Sequence, residues 1–256
     1  MAETFKNQVD ALTGFGSTED TALSDWLTAG AKELIHVFPP ALLEKCKDFS
    51  TLDTSPNSLT NIDTRGHVFS VIRSDGSVNQ IASYIDSKFN GQVTDSTSLY
   101  FATVGAPKYT IYGTNLYVYP TPSDAQPAYI EHVQFPTVAH GDSSITKFPD
   151  EAEYLVTLYA SIKALQRLMN TMKSSIPVHS DQDGSYSAIS SLNQGWENVR
   201  YWLENEEDTE MSGGTISALS NQMQQFVSEY QWYQSQQTKL QQDYDKGVQI
   251  LIGGTK

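Results

Sequence analysis

Between Ile216 and Leu251 one row of positions returns in steps of three and four: Ile216, Leu219, Met223, Phe226, Tyr230, Tyr233, Gln237, Leu240, Tyr244, Gly247 and Leu251. Only a helix brings such positions onto one face, and a stripe this narrow and this long is one side of a helix pair. A helix from Thr215 to Ile252 would run on the order of 55 Å. That is longer than the core of a domain this size can cover, so the stripe calls for a partner. For the first half of the helix, pairing within the chain and pairing between chains are equal readings. For the second half, where little chain remains to cover it, contact between chains is the expectation. The flanks are rich in glutamine (Gln222, Gln224, Gln225, Gln231, Gln234, Gln236, Gln241 and Gln242), and Tyr230, Tyr233, Gln237 and Tyr244 give the seam a semi-polar character suited to specific pairing.

Upstream, the chain reads as helices, then short strands, then helices. Ser17-Thr-Glu-Asp opens a helix in the manner of a capping box. Leu23, Trp26, Leu27, Ala31, Leu34, Ile35 and Phe38 follow at helical spacing until Pro39-Pro40 stops them. A further short helix is expected from Ala41 to Lys47. From Phe49 to about Val138 the segments are short, β-branched and broken by Gly, Pro, Asn and Asp, which predicts a small sheet of three to five strands. Strands are expected at His67–Arg73 and Ala128–Phe135, and Val78–Asp86 reads as a strand end followed by a short helical turn. The clearest hairpin joins Tyr109–Tyr112 to Leu116–Tyr119 through a three-residue loop, Gly113-Thr-Asn115, and Pro120 and Pro122 end it.

Asp150–Met172 is a second strong helix. Asp150, Glu151 and Glu153 complement its dipole, and Tyr154, Leu155, Leu158, Tyr159, Ile162, Leu165 and Met169 form its apolar stripe. A polar loop over Ser174–Ser187 leads to a third helix, Ser187–Asn205, closed by an acidic run. Met211-Ser-Gly-Gly reads as a hinge before the heptad helix. The expected fold is mainly α with a small antiparallel β-sheet insertion (α+β), a helical bundle plus a long C-terminal amphipathic helix. Its regions are N-terminal helices over 1–48, a sheet and hairpin region over 49–138, a central helical region over 139–210 and the heptad helix over 211–256.

A net charge of −14 argues against gripping nucleic acid, which needs clustered Lys and Arg. Composition alone favours ordinary solubility as the reason for that charge, although an acidic wall would also suit a conduit better than a clamp. Cys46 is the only cysteine, so no disulfide within the chain is expected. The residues that open the chain lack a basic stretch followed by an apolar run, so no signal peptide is expected. No apolar stretch reaches spanning length.

No nucleophile elbow, phosphate loop or dinucleotide fingerprint is present. His36, His67, His132, His140 and His179 stand singly, without metal-ligand spacing. Asp181-Gln-Asp183-Gly-Ser185 begins like a calcium loop but lacks its later ligands, and reads as a polar turn. The tyrosines of the sheet could stack bases, but only Lys108 stands nearby, so packing or a protein interface is the better reading. No enzymatic activity, metal or cofactor is expected.

Four stretches together resemble a family. They are Leu99-Tyr-Phe-Ala, the phrase from Pro107 through Leu116-Tyr-Val-Tyr-Pro to Pro122, Phe148-Pro-Asp-Glu-Ala-Glu-Tyr-Leu through Leu165, and Glu229-Tyr-Gln-Trp-Tyr-Gln. Their order is similar to that of the head-to-tail connector (adaptor, tail tubular or neck) proteins of tailed bacteriophages. The resemblance covers about Trp26 to Met172 and, more loosely, the C-terminal part. It implies a ring, commonly of twelve copies, seated beneath the portal protein and joined to tail or nozzle proteins. DNA would pass through the lumen during genome ejection without sequence-specific binding. The location implied is the neck of the virion, assembled in the host cytoplasm, with no membrane. On that reading Tyr154, Leu158, Tyr159 and Ile162 belong to the wall of the ring. Tyr112, Tyr117 and Tyr119 belong to a docking hairpin, and Phe226, Tyr230, Tyr233, Gln237, Leu240 and Tyr244 to the pairing seam. The alternative is another virion structural protein, such as a tail-completion or fibre-attachment subunit. The heptad helix is longer than a minimal adaptor needs.

Overall fold

The computed structural model describes residues 3–16, 19–58, 68–133, 135–174, 192–205, 207 and 209–253. Helices dominate and strands form a smaller part. The chain opens with α1 (Phe5–Thr13), α2 (Asp20–Val37) and α3 (Pro40–Leu43), the last followed by a 3-10 turn. The strands are β1 (Lys47–Leu52), β2 (Asn57–Ser58), β3 (Val68–Ser74), β4 (Asn79–Ile81) and β5 (Ser83–Tyr84). After a 3-10 turn and the short α4 (Asn90–Val93) come β6 (Lys108–Tyr112), β7 (Asn115–Tyr119) and β8 (Ala128–Val133). Three helices complete the chain: α5 (Asp150–Ser174), α6 (Leu192–Glu204) and α7 (Thr209–Gly253).

The helical body is built around α5. Leu155, Val156, Leu158, Ala160, Ile162, Ala164 and Leu165 are buried, facing Leu23, Leu27, Ala31, Leu34 and Ile35 of α2, and Phe5 and Val9 of α1. Helix α2 approaches closely because Gly30 has no side chain; a Cβ there would stand 2.9 Å from the Tyr159 ring. Alanine at 30 would gain helix propensity but must push that ring aside. We expect Gly30→Ala to cost about 1–2 kcal/mol in urea unfolding. Gly213→Ala, which meets open space, should be neutral or stabilising by up to ~1 kcal/mol. Equal effects at the two positions would rule out the close-approach account.

Helix α1 was not anticipated from the sequence. Thr4 caps it by accepting from the Asn7 N–H, Gly14 ends it at φ 66°, and its Phe5 and Lys6 amides donate to the carbonyls of Asp142 and His140. Helix α2 starts at Asp20 with Glu19 at its cap position and no side-chain cap bond; Ser17 and Thr18, and with them the expected capping box, lie outside the described residues.

The single sheet expected is two. One has the order β1-β8-β3-β4, the other β2-β7-β6-β5. All pairings are antiparallel except β5 with β6, which is parallel. The chain crosses from the first sheet to the second twice, between β1 and β2 and between β4 and β5. Leu52, Val71, Ala128 and Ile130 of the first sheet share a core with Leu116 and Val118 of the second, closed by Ala82. The sheets therefore cover each other's apolar faces. The segment 79–84 is two short strands, and the helical turn follows only at Ser87–Phe89. The hairpin loop is Gly113-Thr114, since Tyr112 pairs with Asn115, and Gly113 supplies φ 61°. His67 and residues 187–191 of the expected strand and helix lie outside the described residues. Lys47, expected to end a helix, opens β1, and β8 ends at Val133.

Arg73, at the end of β3, is 1% exposed. Its guanidinium donates to five backbone carbonyls, those of Ser74, Pro120 (3.1 Å), Thr121 (3.1 Å), Gln126 and Pro127 (3.4 Å). No carboxylate among the described residues neutralises it. It holds the connection from β7 to β8 against β3.

Candidate interaction surface

Helix α7 spans 45 residues, roughly 68 Å. It begins at Thr209, so the expected hinge at Met211–Gly214 is helical. Ser212 and Thr215 are buried there, and their hydroxyls donate to the carbonyls of Thr209 and Met211. Burial against neighbouring structure outweighs a propensity cost of about 1 kcal/mol per glycine.

The seam divides into three parts. At the front, Leu219 packs on Val199 of α6. At the rear, Leu240 and Tyr244 are buried in the helical core, joined by Tyr233, Val248 and Leu251. The approach is close: a Cβ at Gly247 would fall 2.3 Å from Leu155 Cδ2. The rear half therefore packs on its own α5, which corrects the expectation of contact between chains there. In the middle, from Ser220 to Trp232, only Phe226 is even half-buried. Tyr244 is 6.1 Å from Tyr159, ring to ring. Burial first, and then the Glu33 carboxylate and Tyr159, push the Tyr244 phenol well above the ordinary tyrosine range.

The other residues of the expected interface separate in the same way. Leu158 and Ile162 are buried in this chain's own core. Tyr159 lies half-buried over Gly30, with Lys163 Nζ 5.2 Å from its ring centre, whereas Tyr154 of the same helix is 55% exposed. Tyr117 and Tyr119 are half-buried, and the Tyr119 hydroxyl donates to Asn90 Oδ1 at 2.6 Å. Tyr112, at the hairpin tip, is exposed. Gln237 is half-buried and Tyr230 exposed. Of the thirteen residues named from the sequence, Tyr112, Tyr154 and Tyr230 face solvent most openly.

A second exposed set was not singled out as a site. The segment 85–102 folds over the outer face of the second sheet, burying Ile85, Val93 and Ala102. At its tip Leu99 is fully exposed. Behind it Tyr100 stacks on Phe89 at 4.5 Å, and Tyr84 meets Tyr109 edge-on at 5.5 Å. The run Leu99-Tyr-Phe carried this signal, but strand-like texture gave no reason to place it outside.

A cleft of about 690 Å³ lies between β1 and the loop 135–147. Its charged groups are engaged: Lys147 donates to Asp48, which holds that carboxyl below the usual carboxylate range, and Asp142 accepts from the Ala139 amide at 2.8 Å. Nearby, His140 Nδ1 is 3.2 Å from Ser24 Oγ and its Nε2 is 3.5 Å from Asp20. The Ser24 hydroxyl donates to the Asp20 carbonyl and accepts from the His140 amide. It is therefore a tie between α2 and the loop, not a free nucleophile. Among the described residues no group of three or more His, Cys, Asp and Glu is placed to hold a metal ion, and no helix is long and apolar enough to cross a membrane. His179, Asp181 and Asp183 lie outside the described residues.

No known family model matches this chain, and no curated protein matches it closely enough to count as a relative.

Proposed function

We propose that this chain is a structural subunit of a ring-shaped connector between the head and tail of a tailed bacteriophage. Its work is mechanical: copies of the chain surround a passage, one end meets the portal protein and the other meets tail or nozzle proteins. The observation that carries this reading is α7, a rod anchored to its own chain near both ends and bare between. A free-standing domain has no use for so long a helix with an uncovered middle. Exposed tyrosines at Tyr112 and Tyr154 offer large, stiff contact groups elsewhere. The charge of −14 suits a wall that DNA slides past. The resemblance of the hairpin and α5 phrases to connector proteins supplies the kind of assembly. Symmetry multiplies modest contacts, so no single interface has to be tight.

The test is the oligomeric state of the full chain, alone and with its portal partner, by mass photometry and electron microscopy. A closed ring with an axial hole is expected. A monomer that persists with the portal present overturns the reading. A different virion structural protein is the second reading, favoured by α7 exceeding what a minimal adaptor needs. Position along the particle axis separates the two.

A further inference from the structure

We draw no further inference here: the strongest candidate, the exposed patch of Tyr84, Leu99 and Tyr100 beside the outer face of the second sheet, carries nothing because Lys88 and Lys108 are matched in charge by Asp86 and Asp95 within the same stretch 84–112, and nothing in the structure shows what covers it.

Discussion

Replacing Arg73 with methionine is expected to cost about 3–5 kcal/mol of unfolding free energy, the largest single-residue effect outside the helical core. Methionine fills much the same space, so the loss would not come from a cavity. It would come from the carbonyls that the guanidinium now serves: those of Gln126 and Pro127 keep a donor in the amides of Ser123 and Ser74, so the cost falls on the other three. Each carbonyl left dry without a donor costs about 1–3 kcal/mol, less where water enters. The position is 1% exposed, so water reaches few of them. Burial already lowers the Arg73 pKa from its ordinary value, yet the group stays charged because no arginine in a protein loses its proton. Arg73→Lys should recover only part of the loss, since an ammonium has three donors in place of a planar fork of five. Urea unfolding measures the cost, and hydrogen exchange should place it in the connection 120–127, with α5 unaffected. A loss under ~1 kcal/mol would mean that solvent already serves those carbonyls.

Leu240→Ala is expected to cost about 2–4 kcal/mol, and to take that cost locally. Leu240 is 5% exposed and ties the rear of α7 into the core around α5. Truncating it should speed amide exchange from residue 240 to 251. Residues 209–219 should stay protected, because Leu219 keeps its own contact with Val199. Uniform loosening of the whole rod would show that the two anchors are not independent. The same junction has an alkaline limb. The folded-state pKa of Tyr244 is raised, so the stability that its protonated phenol contributes is complete below a pH of about 10 and is lost as pH rises beyond it. Tyr244→Phe should remove that part of the alkaline dependence, read as the shift in unfolding midpoint between neutral and alkaline buffer.

These anchors bear on the proposed assembly. Because Leu240, Tyr244, Leu158 and Ile162 are buried within one chain, contact between copies falls to the faces left bare: the middle of α7, Tyr112, Tyr154 and the Leu99 tip. Substitutions at the buried four test folding, and substitutions at the bare faces test assembly. The two classes separate in one experiment that records both oligomeric state and unfolding midpoint.

The long C-terminal helix, α5 and the Tyr109–Tyr119 hairpin were legible in the residues alone. Each depends on local periodicity or turn chemistry that neighbours in sequence supply: steps of three and four for the helices, a glycine turn between strand formers for the hairpin. Helix α1 was missed, because the nine residues that form it carry too short a periodic signal. What residue order could not convey was the partner of each face. A heptad stripe announces that something covers it, not which chain does, and tertiary packing assigned its rear to α5 and its front to α6. Glycines at 213 and 214 suggested a break because local propensity disfavours helix there; burial of Ser212 and Thr215 beside them overrode that preference. Strands of two or three residues carry too little alternation to reveal their sheet, so the division into two sheets, and the arginine that holds their connection, exist only once distant segments meet.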